Sequence, residues 1–344
     1  MKRTLVVAAL AVVLLAALAI PAGIGWLLER QAAERIQARL PGAELQWNRG
    51  WFRSGFSLDA ADVEAAFDFR HLTLSPPGWL ALDGRVVLAD PPAAIHVEGH
   101  VSAGLAGELR AGAPSLTVGE AVVSRYRQPN LRLLAGEGRL RALGTAEALT
   151  LADGLGNRLR LERIDAEARV EEAADGQVAI VVTASATRPG MPESRLDVRL
   201  AGADPGALEQ LVQALTQLAG TEPGSTGAGL AALGLASAWQ QLAARGASVE
   251  LDALVLDGDF RLSGRWVPDE RVFSLEGGGS RATLTAWTTA LAGLARGQSP
   301  ARARAEIERT LRGAGARDDI TVDGGRVRVA MDALPTQQAA ADSF

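Results

Sequence analysis

His96 and His100 stand four residues apart with Glu98 between them, and His71 is the only other histidine in the chain. On a helix, that spacing would place two imidazoles on one face, within reach of a single zinc ion. Here Pro91 and Pro92 precede the segment, Gly99 interrupts it, and Ile95, Val97 and Val101 alternate with polar residues, which is the period of a strand. On a strand the two rings share a face but sit about 13 Å apart, too far to chelate one ion. We therefore expect no metal centre. The stretch "GAGLAA" (227–232) matches the form of a dinucleotide fingerprint with alanine in the third place. That fingerprint needs a preceding strand and a βαβ unit. A Pro/Gly/Ser-rich loop precedes it here and helix follows helix, so we read it as the composition of a helix start and expect no cofactor. The acid pairs Glu171-Glu172 and Asp318-Asp319 are adjacent in sequence, so on strands their side chains point to opposite faces. No G-x-S-x-G elbow, P-loop or H-E-x-x-H motif occurs.

A third grouping is arginine. Arg139, Arg141, Arg158, Arg160, Arg326 and Arg328 alternate with apolar residues and would suit anionic headgroups, because guanidinium pairs bidentately with phosphate. Glu162, Asp165 and Glu167 lie close by in sequence. The plainer reading is thus the mixed-charge outer face of a solvated sheet. A net charge of −5 and a pI near 5.4 argue against a general nucleic-acid binder, which needs a basic surface to displace counterions. With no cysteine there is neither a disulfide framework nor thiolate chemistry.

The elements that would carry these residues are mostly strands. Ile95, Val97 and Val101 alternate with His96, Glu98 and His100. Leu254, Leu256, Phe260, Leu262 and Trp266 alternate with Asp257, Asp259, Arg261 and Arg265, and Ala166, Ala168 and Val170 with Asp165, Glu167 and Arg169. This is the pattern of antiparallel strands with one dry face and one wet face. Four stretches, at 135–143, 153–161, 257–266 and 323–331, each set a glycine-containing turn before such a strand, and we read them as recurring hairpins. Residues 80–238 hold one aromatic, Tyr126. That part of the sheet must pack with Leu, Val and Ala, which favours an extended, curved sheet.

Two blocks break the alternation. Asp204 reads as an N-cap with Pro205 at the first helical position; Leu208, Leu211, Val212, Leu215 and Leu218 follow at helical spacing, and Gly220 closes the run. The loop at 221–229 leads to Leu230, Leu233, Trp239 and Leu242, closed by Gly246. The spacing predicts a helical hairpin over about 204–245 laid against a sheet. A second block runs from about Thr285 to Arg312, broken near Gln298-Ser299-Pro300. Its last part has only Ile307 and Leu311 as large apolar residues and is expected on the surface.

The N-terminus carries a different signal. Lys2, the only lysine, and Arg3 precede an uncharged run from Thr4 to Leu28. Such a helix would be about 37 Å long, enough to cross a hydrocarbon core of ~30 Å. A cleaved signal peptide is the rival, since Ala17-Leu18-Ala19 has a small-x-small pattern. We favour an uncleaved anchor because the apolar run continues through Ile20, Ile24 and Trp26 into a helical pattern over 29–40, stopped by Pro41-Gly42. Lys2 and Arg3 place the N-terminus in the cytoplasm and the bulk of the chain in the periplasm.

"WNRGWFRSGF" (47–56) concentrates Trp47, Trp51, Phe52 and Phe56 around Arg53. It reads as strand, bend, strand. Its plain role is a packing corner for an aromatic-poor sheet. Its sharper role is an interface, with Trp47, Trp51, Phe52, Arg53 and Phe56 meeting lipid headgroups. The basic start, the anchor ending in "IPAGIGWLLERQAAERI" and the strand entering "NRGWFRSGFSL" together resemble the YdgA-like family of envelope proteins of unassigned function. The likeness is clearest over residues 1–60, and "RGWFRS" is its distinctive element. An architectural likeness extends to the hairpin-then-helix order near 205–266, and the body is similar to the elongated sheets of AsmA-like lipid-handling proteins, though much shorter than their long bridging members. The resemblance implies one inner-membrane anchor and a β-rich periplasmic body, and brings no catalytic residues.

The expected fold is therefore α+β, mainly β. A transmembrane anchor and juxtamembrane helix (1–40) precede an antiparallel body (41–334) with helical insertions near 204–245 and 285–313, and a disordered tail (335–344) follows. The expected function is a non-enzymatic, single-pass inner-membrane protein, contacting the bilayer through its anchor and presenting a sheet surface to a lipid ligand or an envelope protein. Two other readings stay open: an accessory subunit docking through the helices at 204–245, and an enzyme whose site is not visible in sequence.

Overall fold

Where apolar and polar residues alternate, the backbone is extended; where they repeat at three and four, it is helical. The computed structural model describes residues 44–48, 53–60, 63–71, 80–102, 106–119, 122–136, 139–172, 176–219, 225–268, 272–314 and 319–332. The expected anchor, the 29–40 helix, Trp51, Phe52 and the 335–344 tail lie outside these residues. Among the described residues no helix is long and apolar enough to cross a membrane.

The chain falls into two compact units, the first running through Thr117 and again over 128–137, the second taking 118–127 and the remainder from 138. In chain order come β1 (Glu44–Asn48), β2 (Arg53–Ala60), β3 (Val63–His71), β4 (Leu80–Leu88), β5 (Ala93–Val101), β6 (Gly107–Gly112), β7 (Ser115–Val118), β8 (Val122–Arg127) and β9 (Asn130–Gly136). In the first unit, β1 to β6 pair in sequence and β9 adds beside β6, every pair antiparallel.

The second unit continues with β10 (Arg139–Asp153), β11 (Arg158–Glu172), β12 (Val178–Thr187), β13 (Glu193–Ala203), α1 (Pro205–Ala219), α2 (Thr226–Ala244), β14 (Ser248–Leu256), β15 (Phe260–Val267), β16 (Val272–Ser280), α3 (Arg281–Arg296), α4 (Pro300–Ala314), β17 (Ile320–Asp323) and β18 (Arg326–Met331). Its strands pair antiparallel in the order β8, β10, β11, β12, β13, β14, β15, β16, β18, β17. The turns that open at Asp153, Asp257 and Asp323 join β10 to β11, β14 to β15 and β17 to β18, so three of the expected hairpins are in place, and the turn of the fourth, at 137–138, lies outside the described residues.

The helices cover the apolar side of this second sheet. Trp287 and Leu294 of α3 bury Leu159, with Leu151, Leu161 and Leu256 around them. Phe260, Val327 and Val329 form a neighbouring cluster against Leu284. The α1–α2 pair packs mainly on itself. It meets the strands through Ala203, Ala207, Leu242 and Ala247, and through Trp239 stacked on Trp266 at 5.0 Å. Asp204 caps α1 as expected, its Oδ1 accepting from the Ala207 N–H at 2.9 Å, while Arg245 beyond the end of α2 holds the same carboxylate. The Ala207 N–H and the Arg245 charge outweigh burial and hold that carboxyl below the usual carboxylate range.

Two helix starts differ from the sequence reading. α2 begins at Thr226, inside the loop expected over 221–229, and "GAGLAA" fills its first turns in keeping with a helix start; packing against α1 offsets the ~1 kcal/mol that each helical glycine costs relative to alanine. α3 begins at Arg281, because Ser280 accepts from the Thr283 N–H and sets the start earlier than Thr285.

The most deeply buried carboxylate of the second unit is paired. Asp257, 5 % exposed, takes the guanidinium of Arg188 and accepts from Ser194, and Arg188 lies 5.4 Å over the Trp287 ring. On the wet face, Arg141 and Arg169 are directly opposed across β10 and β11, and Glu167 accepts from both. Those two guanidinium groups, Arg169 first, hold the Glu167 carboxyl at about 2, well below its ordinary value.

Two outcomes follow from this packing. A Cβ at Gly293 of α3 would fall 2.0 Å from Asn157 Oδ1, so Gly293→Ala should destabilise the second unit by about 1–3 kcal/mol, read as a lower melting temperature in calorimetry. The depressed Glu167 stabilises the fold fully above the ordinary glutamate range, and that contribution disappears as pH falls from about 4.5 toward about 2. Glu167→Gln should therefore flatten the loss of melting temperature between pH 5 and pH 2.5; an unchanged acid limb would show the contact carries no weight.

Candidate functional site

The register of the first unit sorts its side chains into two faces. One cross-strand row reads Trp47, Phe56, Phe67, Gly84, Val97, Ala111 and Leu131. The next reads Phe69, Leu82, Gly99, Leu109 and Leu133; on the other side run Leu45, Leu58, Ala65, Val86 and Ile95. Seven strands at ~4.8 Å spacing make this face about 29 Å across, and three rows about 7 Å apart give an area on the order of 500 Å². Apart from the buried Leu58, Ala65 and Gly84 and the exposed Leu131, its residues are half-buried. The principal helix contacts are all with strands of the second unit. The described residues of the first unit contain no helix of their own to cover this face. A contiguous apolar patch of that size matches the largest that a soluble monomer ordinarily leaves open, and patches of that size are often functional.

Its centre is aromatic. Phe56 stacks on Phe67 at 4.9 Å and on Phe69 at 5.8 Å, and Trp47 lies 5.1 Å from Phe56. Gly84 makes this possible: a Cβ there would lie 2.2 Å from the Phe67 ring, so the ring lies across a strand that has no side chain at that point. The Trp47 indole N–H is buried and has no acceptor among the described residues. Of the five sequence-predicted site residues, the structure brings Trp47 and Phe56 together. Arg53 stands apart on the opposite face, bound to Asp68 at 2.7 Å, and Trp51 and Phe52 lie outside the described residues. Sequence reasoning missed Phe67 and Phe69, although their i, i+2 spacing on an alternating strand marks one face.

The opposite face is charged. Arg53 and Arg70 are directly opposed, and the Arg53 hydrogen bond draws the Asp68 carboxyl below its usual range, helped by the Arg70 charge. Arg110 and Arg132 are likewise opposed; Glu108 accepts from Arg110 and is ion-paired with Arg132, both at 2.5 Å, and the two guanidinium groups, Arg132 first, lower its carboxyl too. His96 and His100 both lie on this face of β5, His96 3.8 Å from Asp83. No set of three or more potential ligand side chains gathers to hold a metal ion among the described residues.

No family model, curated protein or solved structure matches this chain. What the geometry offers is a broad, neutral, aromatic-centred surface backed by a wet charged one.

Phe67→Ala should destabilise the first unit by about 2 kcal/mol, less than a fully buried phenylalanine would, because the ring is half-exposed. Arg53→Ala, on the solvated face, should leave the same unfolding transition almost unmoved. Equal effects from the two would mean the aromatic stack is not what holds this sheet together.

Proposed function

We propose that the chain is a non-enzymatic envelope protein, held in the inner membrane by residues 4–28, whose first unit offers the apolar face of its sheet to lipid. The observation that carries this reading is that half-buried face, continuous from Trp47 to Leu133, in a unit whose described residues contain no helix. Apolar surface of this extent gains roughly 25 cal/mol for each Å² removed from water, so an acyl chain laid on it is strongly favoured. The resemblance of residues 1–60 to the YdgA-like family and the uncharged run Thr4–Leu28 support the membrane setting. The bulk is periplasmic in this reading.

A second reading has its own observation. Leu230 and Leu233 of α2 are 66 % and 68 % exposed, while Leu211 of α1 packs into the helical core. An accessory subunit docking on a partner envelope protein would do so through Leu230 and Leu233.

Mass spectrometry of lipids retained after gentle detergent extraction separates the two. The lipid reading expects phospholipid bound to the full chain above a non-binding control, reduced at least fivefold in a Phe69→Glu, Leu82→Glu double variant. No retained lipid, together with a stable partner lost on Leu230→Asp, would replace it with the docking reading.

A further inference from the structure

A cleft of about 650 Å³ opens within the second unit, between α3, α4 and the turns before β11 and β18. Its volume falls within the range of small-molecule sites. One wall is a stripe of α3: Ala282, Ala286 and Ala290 recur every four residues, flanked by Thr285 and Thr289. Residues four apart share a helix face, and this stripe runs about 12 Å along the axis with no side chain larger than threonine. The Thr289 hydroxyl is buried there and has no partner among the described residues.

The lining is cationic. Arg158, Arg281 and Arg304 face Glu308 as the one carboxylate. Arg304 is bound to Glu308 at 3.0 Å, whereas Arg158 and Arg281 have no carboxylate partner among the described residues. Both backbones are fixed. Arg281 donates its N–H to the Gly325 carbonyl at 2.8 Å. Arg158 follows Asn157, which is 3 % exposed and donates to both Asp153 and the Gln298 carbonyl at 2.6 Å. Two unpaired guanidinium groups held beside a smooth apolar channel would repel any cation and leave a phosphate with bidentate donors.

We propose that this cleft binds a phosphate-headed amphiphile, its head on Arg158 and Arg281 and its chain along the Ala282–Ala286–Ala290 stripe. This site is separate from the apolar face of the first unit, and its test distinguishes the two. The full chain in maltoside micelles is titrated with dioctanoyl phosphatidic acid, dioctanoyl phosphatidylcholine and inorganic phosphate. Phosphatidic acid should bind at least tenfold tighter than either of the others. Ala286→Leu, which fills the channel and leaves every charge in place, should weaken it at least tenfold, as should Arg158→Glu with Arg281→Glu. Phe69→Glu, on the first unit, should leave this affinity unchanged. Equal binding of phosphatidylcholine would overturn the charge selection. Inorganic phosphate binding as tightly as the lipid, or an Ala286→Leu protein that binds normally, would show a free-anion site and overturn the amphiphile.

Discussion

A sheet one layer thick has two faces and can keep only one of them wet at no cost. Most of the described strands are written for that condition, apolar on one side and polar or charged on the other, so each sheet must find cover for its dry side. The second unit supplies cover from its own chain: α3 lays Trp287 and Leu294 on Leu159, and Leu284 meets the Phe260–Val327 cluster. The first unit has strands only among its described residues, and its dry side is where Trp47, Phe56, Phe67 and Phe69 collect. Aromatic rings suit a face without a helix over it, because each buries much of its area against neighbours in the same layer. The functional proposal is the consequence of this difference between the two units.

The wet faces solve a different problem. Register is weakly specified by Leu, Val and Ala alone, and slipping a strand by one residue exchanges its faces. Three times the same device appears: an acid two residues before an arginine, with a second arginine directly opposite on the next strand. Asp68 serves Arg53 and Arg70, Glu108 serves Arg110 and Arg132, and Glu167 serves Arg141 and Arg169. Opposed guanidinium groups repel unless a carboxylate lies between them, so these pairings are favourable in one register only. Such exposed pairs add little stability. Their value is in choosing between registers.

Much of this was legible in the residues. The alternation at 95–101 and 254–266, the cap at Asp204 and the break at Ser299-Pro300 each rest on a local rule, and each is where that rule puts it. The bulge in β11 was also there to be seen. Leu159 and Leu161 are odd-numbered, Ile164, Ala166, Ala168 and Val170 even-numbered, so the apolar phase slips by one at Arg163, which has a positive φ of 51° where the pairing with β12 shifts. What local rules do not contain is which arginine stands across from which. The acid-x-Arg pattern is visible in one strand, but its second arginine lies as few as 15 and as many as 26 positions from the acid, at Arg53 for Asp68 and Arg141 for Glu167. The cleft was illegible for the same reason: Arg158, Arg281 and Arg304 are brought together only by β11, α3 and α4 meeting.

The two apolar features of this chain differ in what they select. The first unit's face is wide, aromatic and neutral, so its attraction scales with the area of hydrocarbon laid on it and depends little on the head that hydrocarbon carries. The second unit's cleft is narrow and floored with alanine, so the area it removes from water is modest and its discrimination has to come from Arg158 and Arg281. Removing charge from the cleft and removing apolar area from the face are therefore not equivalent perturbations. Salt weakens the first kind of contact through screening and leaves the second nearly untouched. A protein with both would keep its hold on lipid at high ionic strength while losing its preference among headgroups, a separation that neither surface alone would produce.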